Sequence, residues 1–128
     1  MAIIEKSVEY FDQGKKCIGY MVYDDALAGK RPCVLINHAW SGLDQFSKNK
    51  ALEIANKGYI GFCLDNYGDG YQPATLEDKQ NTMLPLKEDR AKLLKRLLAG
   101  LEKAKNFDIV DKQNIATLGF CFGGLCAL

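Results

Sequence analysis

Histidine and tryptophan each occur once in these 128 residues, at positions 38 and 40, and proline occurs three times. With one histidine, no histidine-rich metal cluster can form, and no proline-rich or glycine-rich linker interrupts the chain. No internal repeat divides it, so it reads as a single structural unit. There is no apolar run approaching the roughly 18 residues of a membrane span, and no apolar segment follows a basic start at the N-terminus. Charge of one sign is also missing: 17 Lys and Arg are scattered among 16 Asp and Glu, giving a formal net charge of +1. That balance offers no basic stripe for nucleic acid and no acidic tail, and no membrane partner is implied. Five cysteines, at 17, 33, 63, 121 and 126, form an odd set without C-x-x-C spacing. Most are expected to be small buried hydrophobes in a reducing compartment, which makes a cytoplasmic location the default expectation.

What is present is a 48% hydrophobic content with 26% charge, enough for a buried core. Ser7 to Phe11 and Cys17 to Tyr23 are β-prone runs around the turn cluster Asp12-Gln13-Gly14-Lys15, which predicts an antiparallel hairpin at a sheet edge. The continuous apolar run Cys33 to Asn37 predicts a strand buried on both faces. Asp44 can cap a helix running to Lys57, with Phe46, Leu52, Ile54 and Ala55 facing inward and Gly58 as its stop. Tyr59 to Leu64 predicts a second buried strand, followed by the loop Asp65 to Gly70. Leucines at 93, 94, 97, 98 and 101 predict one long amphipathic helix over Leu86 to Lys105. Ile115 to Phe120 supplies a last strand, and a helix begins near Gly123. Strand, helix, strand, helix, strand implies parallel pairing with right-handed crossovers.

Between the last strand and that helix lies Gly119-Phe120-Cys121-Phe122-Gly123-Gly124, which fits G-x-S-x-G with cysteine in the serine position. A nucleophile on such a sharp turn needs small neighbours two residues away, and Gly119 and Gly123 meet that need. A cysteine near a helix N-terminus also favours its thiolate, the nucleophilic form. Cys121 is therefore the candidate nucleophile. The N–H groups of Phe122 and, from the earlier loop His38-Ala39-Trp40-Ser41-Gly42, of Trp40 are the candidate oxyanion donors. A dinucleotide-binding reading fails because the spacing is not G-x-G-x-x-G.

Pro32 to Leu43, Gly58-Tyr59-Ile60, Asp65 to Gly70 and Gly119 to Gly124 together resemble the dienelactone hydrolase family. The resemblance implies an α/β-hydrolase fold, a mostly parallel sheet flanked by helices. Residues 1–128 would form the N-terminal portion of one such domain, lacking its C-terminal strands and helices. It further implies a Cys-His-Asp triad that hydrolyses a small-molecule ester or lactone, without metal or organic cofactor, the triad's Asp and His lying after the elbow. Two positions depart from the family. Ala39 stands where members commonly carry a glutamate that helps form the thiolate, and Asp69 stands where enzymes acting on dienelactone carry an arginine. Dienelactone itself is therefore a poor fit.

Ala39, Tyr67 and Tyr71 are candidate substrate-binding positions. His38 is expected to shape its own loop rather than act as a base, Asp65 to cap a loop, and Cys126 to belong to the core. Two further functions compete: a non-catalytic half-domain that self-associates or binds a C-terminal half through an open strand edge, and a thiol redox sensor using Cys121.

Overall fold

The computed structural model describes residues 2–26, 29–119 and 122–127, so Phe120 and the nucleophile candidate Cys121 lie outside the described residues. Strands β1 (Ile3–Asp12) and β2 (Lys15–Asp24) form the expected hairpin, each longer than its apolar run. Gln13 and Gly14 both take positive φ, 50° and 86°, the two-residue turn whose twist matches antiparallel strands. Next come β3 (Arg31–Asn37), α1 (Gln45–Asn56), β4 (Ile60–Leu64), α2 (Leu76–Glu88), α3 (Arg90–Lys105), β5 (Val110–Gly119) and α4 (Phe122–Ala127).

The five strands lie in the order β1-β2-β4-β3-β5, with β4, β3 and β5 parallel and the hairpin joined antiparallel to β4. The sheet is thus mixed: its hairpin side is antiparallel and its centre parallel. One face packs Tyr10, Met21, Leu35, Phe62 and Leu64 toward α3, and the other packs Val22, Ile36 and Cys63 toward Ala51 and Ala55 of α1. Neighbouring residues such as Leu35 and Ile36 serve opposite faces, as strand pleating requires.

Three expectations need correction. The helix predicted over Leu86 to Lys105 breaks at Asp89, whose carboxylate caps α3 by accepting from the Lys92 N–H at 3.0 Å, while its N–H donates to the Pro85 carbonyl of α2. A side chain that satisfies the first turn's free donors starts a new helix there. α2 itself has no counterpart among the sequence expectations because Leu76 and Leu84 are exposed and only Leu86 is buried, so no apolar stripe marks it. Thr75, which accepts from the Asp78 N–H, was its one legible signal. Finally, the inward face of α3 is Leu93, Arg96, Gly100 and Ala104; Leu94 and Leu98 are exposed, as is Phe46 on α1.

Candidate active site

β3 pairs Asn37 with Leu64 of β4 and with Gly119 of β5, so the three parallel strands end level with one another. The crossover from β3 leads to β4 on one side, and the crossover from β4 passes back beyond β3 to β5 on the other, making this end the switch point at which open α/β sheets bind ligands. The segments leaving it are 38–44, 65–75 and the connection into α4.

A buried polar network ties these segments together. Asn37 Nδ2 donates to the Leu118 carbonyl of β5 (3.2 Å), and Asn37 Oδ1 accepts from Asn66 Nδ2 (3.1 Å). The Asn66 N–H donates to His38 Nε2 (3.0 Å), and His38 Nδ1 faces the Ala39 carbonyl at 2.7 Å. Since Nε2 is an acceptor, the imidazole is neutral with its proton on Nδ1. His38 is buried, and that burial pushes its pKa down, against the opposing influence of the Ala39 carbonyl and of Asp65 and Asp44. This bears out the expectation that His38 shapes its loop: both ring nitrogens are engaged by backbone groups.

The pH dependence has a definite sign. The unfolded chain protonates a histidine near pH 6.5 and the folded one only at lower pH, so stability contributed by neutral His38 is complete above about pH 6.5 and is lost as pH falls below it. Urea midpoints measured at about pH 7.5 and pH 5.5 should show this loss in the wild type and a smaller one in His38→Gln; equal losses would mean that His38 does not contribute.

Asp65 is fully buried and acts as the expected loop cap. Its Oδ1 accepts from the Gly68 N–H (2.9 Å) and its Oδ2 from Gly70 (2.7 Å) and Ile18 (2.9 Å). Tyr67 packs its ring on His38, with centroids 4.6 Å apart, and stacks on Phe122 at 5.9 Å and 22°. Its hydroxyl donates to the Trp40 carbonyl (2.8 Å). Ala39 and Trp40 are half-buried in the same loop, where the Gly42 N–H donates to the Ala39 carbonyl (3.1 Å). Tyr71 is exposed, and its hydroxyl donates to Asp78 of α2. Asp69, also exposed, pairs with Lys15 at 2.8 Å, which holds its carboxyl below the ordinary aspartate value.

Gly123 shows how closely α4 approaches this loop. A Cβ placed on Gly123 would lie 2.1 Å from the Asn37 carbonyl oxygen and 2.8 Å from that of His38. Only glycine lets α4 start directly against the end of β3. Phe122, its first residue, has a buried side chain among Tyr67, Leu86, Leu93 and Cys126, and first-turn N–H groups have no acceptor within their own helix. Cys126 is core, as expected, and so are Cys17, Cys33 and Cys63.

Arg96 joins this network without any signal in the sequence. This buried guanidinium donates through Nε to Asp12 (2.7 Å) and through Nη1 to the Asn66 carbonyl (3.1 Å), linking the hairpin tip to the loop after β4. Its place in a leucine-rich helix disguised it as a solvent-facing charge. Among the described residues no group of three His, Cys, Asp or Glu side chains is placed to hold a metal ion, and no helix is long and apolar enough to cross a membrane.

A mixed sheet with β4, β3 and β5 parallel, an antiparallel hairpin at one edge, and a helix following β5 whose Gly123 sits against the end of β3 are the features of an α/β hydrolase. Comparison with protein-family models matches residues 18–128 to the dienelactone hydrolase family, and the chain belongs to that family. A Bradyrhizobium protein named "Probable 2-oxo-3-(5-oxofuran-2-ylidene)propanoate lactonase" is 24% identical over 122 residues, covering 94% of this chain and 48% of its own. The solved structure named m3DLH superposes with a TM-score of 0.95 at 29% identity, covering 99% of this chain and 53% of its own. A dienelactone hydrolase-like promiscuous phosphotriesterase from metagenomic libraries gives a TM-score of 0.94 at 30% identity with the same coverage. The chain spans about half the length of the curated relatives it matches.

Proposed function

We propose that this chain is the N-terminal portion of a cysteine-dependent ester or lactone hydrolase, in which Cys121 attacks the substrate carbonyl and the N–H groups of Phe122 and Trp40 receive the oxyanion. The observation that carries this reading is Gly123 seated on the Asn37 and His38 backbone, because it brings the oxyanion loop within contact of the residues following Cys121. Membership of the dienelactone hydrolase family, together with a relative named as a probable lactonase, supports the reaction class. Deacylation requires a base that activates water, and His38 is committed to two backbone groups. The chain alone should therefore stop at the acyl-enzyme.

The test uses 4-nitrophenyl acetate. A burst of about one nitrophenolate per chain, followed by negligible turnover and absent in Cys121→Ala, is the expected result. Sustained turnover by the pure chain, or a burst that survives Cys121→Ala, would sink the proposal.

The same reading assigns a role to the apolar cavity of about 430 Å³ between α3 and the edge strand β5, lined by Leu35, Leu97, Leu101 and Ile115. Leu94 and Leu98, 55% and 47% exposed, lie on its margin. We assign this surface to the remaining half of the domain, by analogy with relatives of which this chain covers only about half.

A further inference from the structure

We propose that His38 and Tyr67 are positioning residues for acyl transfer, together clamping the Ala39–Trp40 and Trp40–Ser41 peptides so that the Trp40 N–H stays turned toward the nucleophile segment. The inference rests on the Cys121 reading above and adds a device to it. The Ala39 carbonyl accepts two bonds, from His38 Nδ1–H at 2.7 Å and from the Gly42 N–H at 3.1 Å. No cis peptide bond occurs among the described residues, so the N–H of Trp40 points opposite to that carbonyl. Holding the carbonyl inward therefore holds the N–H outward. The next carbonyl, that of Trp40, is held by the Tyr67 hydroxyl at 2.8 Å. Flipping the Ala39–Trp40 peptide would forfeit both bonds to the Ala39 oxygen and leave it unsatisfied beside a buried imidazole.

Tautomer choice is part of the device. The Asn66 N–H reaches His38 Nε2 at 3.0 Å, and an Nε2-protonated ring would set two donors against each other. The loop after β4 thereby dictates that the donor faces Ala39. Tyr67 follows Asn66 directly, so one short segment supplies both clamps.

The experiment compares two reactions of the same sulfur in the 128-residue chain. In acylation by 4-nitrophenyl acetate, the Cys121 thiolate bonds to the carbonyl carbon, the π electrons move to oxygen, and collapse of that oxyanion expels nitrophenolate. In alkylation by iodoacetamide, the thiolate displaces iodide from a saturated carbon and no oxyanion forms. Loss of an oxyanion donor typically costs about 100-fold or more, so His38→Gln, which keeps an acceptor for Asn66 but loses the Nδ1 donor, should slow acylation at least about 10-fold. Alkylation should stay within about 2-fold of wild type. His38→Asn, whose amide can still reach the Ala39 carbonyl, should recover most of the acylation rate. Tyr67→Phe deletes one oxygen and keeps the stacked ring; it should also slow acylation selectively, and it carries the test if His38→Gln does not fold. Equal slowing of both reactions in Tyr67→Phe and His38→Gln, or no slowing in either, overturns the proposal. A wild-type chain that alkylates at Cys121 but never acylates would instead overturn the hydrolase reading, and this inference with it.

Discussion

Brief exposure of the folded chain to iodoacetamide at about pH 8 is expected to alkylate Cys121 and leave Cys17, Cys33, Cys63 and Cys126 unmodified. All four are buried, and burial pushes their thiols up, Cys17 to about 11 and the other three to about 12. Only about one part in a thousand, or less, of each would be thiolate at that pH, and alkylation also needs access to the sulfur. Peptide mapping after a short pulse should therefore find a rate at Cys121 at least about 100-fold above any other site. Modification of Cys63 or Cys126 at a comparable rate would remove the basis for treating Cys121 as the activated thiol. The same experiment bears on the redox-sensor alternative: a cysteine that alkylates quickly yet gives no acyl burst favours thiol chemistry over acyl transfer.

Replacing Arg96 with alanine should destabilise the fold by about 2–4 kcal/mol, because it strands the half-buried Asp12 carboxylate and the buried Asn66 carbonyl without their partner. For a domain whose whole stability is about 5–15 kcal/mol, that is a large share. Urea unfolding should show the midpoint falling with little change in slope. The paired replacement Asp12→Ala with Arg96→Met should recover much of the loss, since a buried ion pair is often matched by apolar packing once neither charge remains. A loss under about 1 kcal/mol in Arg96→Ala would place this pair with weak surface bridges.

The hairpin, the two buried parallel strands and α1 with its Asp44 cap were all legible because each rests on local chemistry: turn residues, continuous apolar runs, a capping carboxylate. The break at Asp89 was not, because helical leucine spacing continues across it and only the cap geometry interrupts it. Strand β5 begins at Val110 rather than Ile115, since the pairing with β3 resumes at Arg31 and Val110 across an irregular stretch that is polar in sequence. Within the site, the loops were legible but their wiring was not. Asn37, Asn66 and Arg96 carry no motif; they matter through partners 29 to 84 positions away, which no spacing rule reveals. Tyr67 and Tyr71 looked alike as loop aromatics, yet one is buried against the loop 38–42 and the other is exposed beside α2.

The bond from Asn37 to the Leu118 carbonyl spans 81 positions. Contacts of such separation close late, because chain entropy must be lost before they form. Asn37 in turn orients Asn66, and Asn66 fixes the His38 ring. During synthesis the loop over residues 38–42 therefore gains its ties in two stages. The bonds from Asn66 to His38 and from Tyr67 to Trp40 join residues made before β5, whereas the Asn37 tie to Leu118 forms only when β5 has left the ribosome and docked beside β3. A nascent chain stalled before Leu118 would carry this loop's own wiring without its anchor to β5.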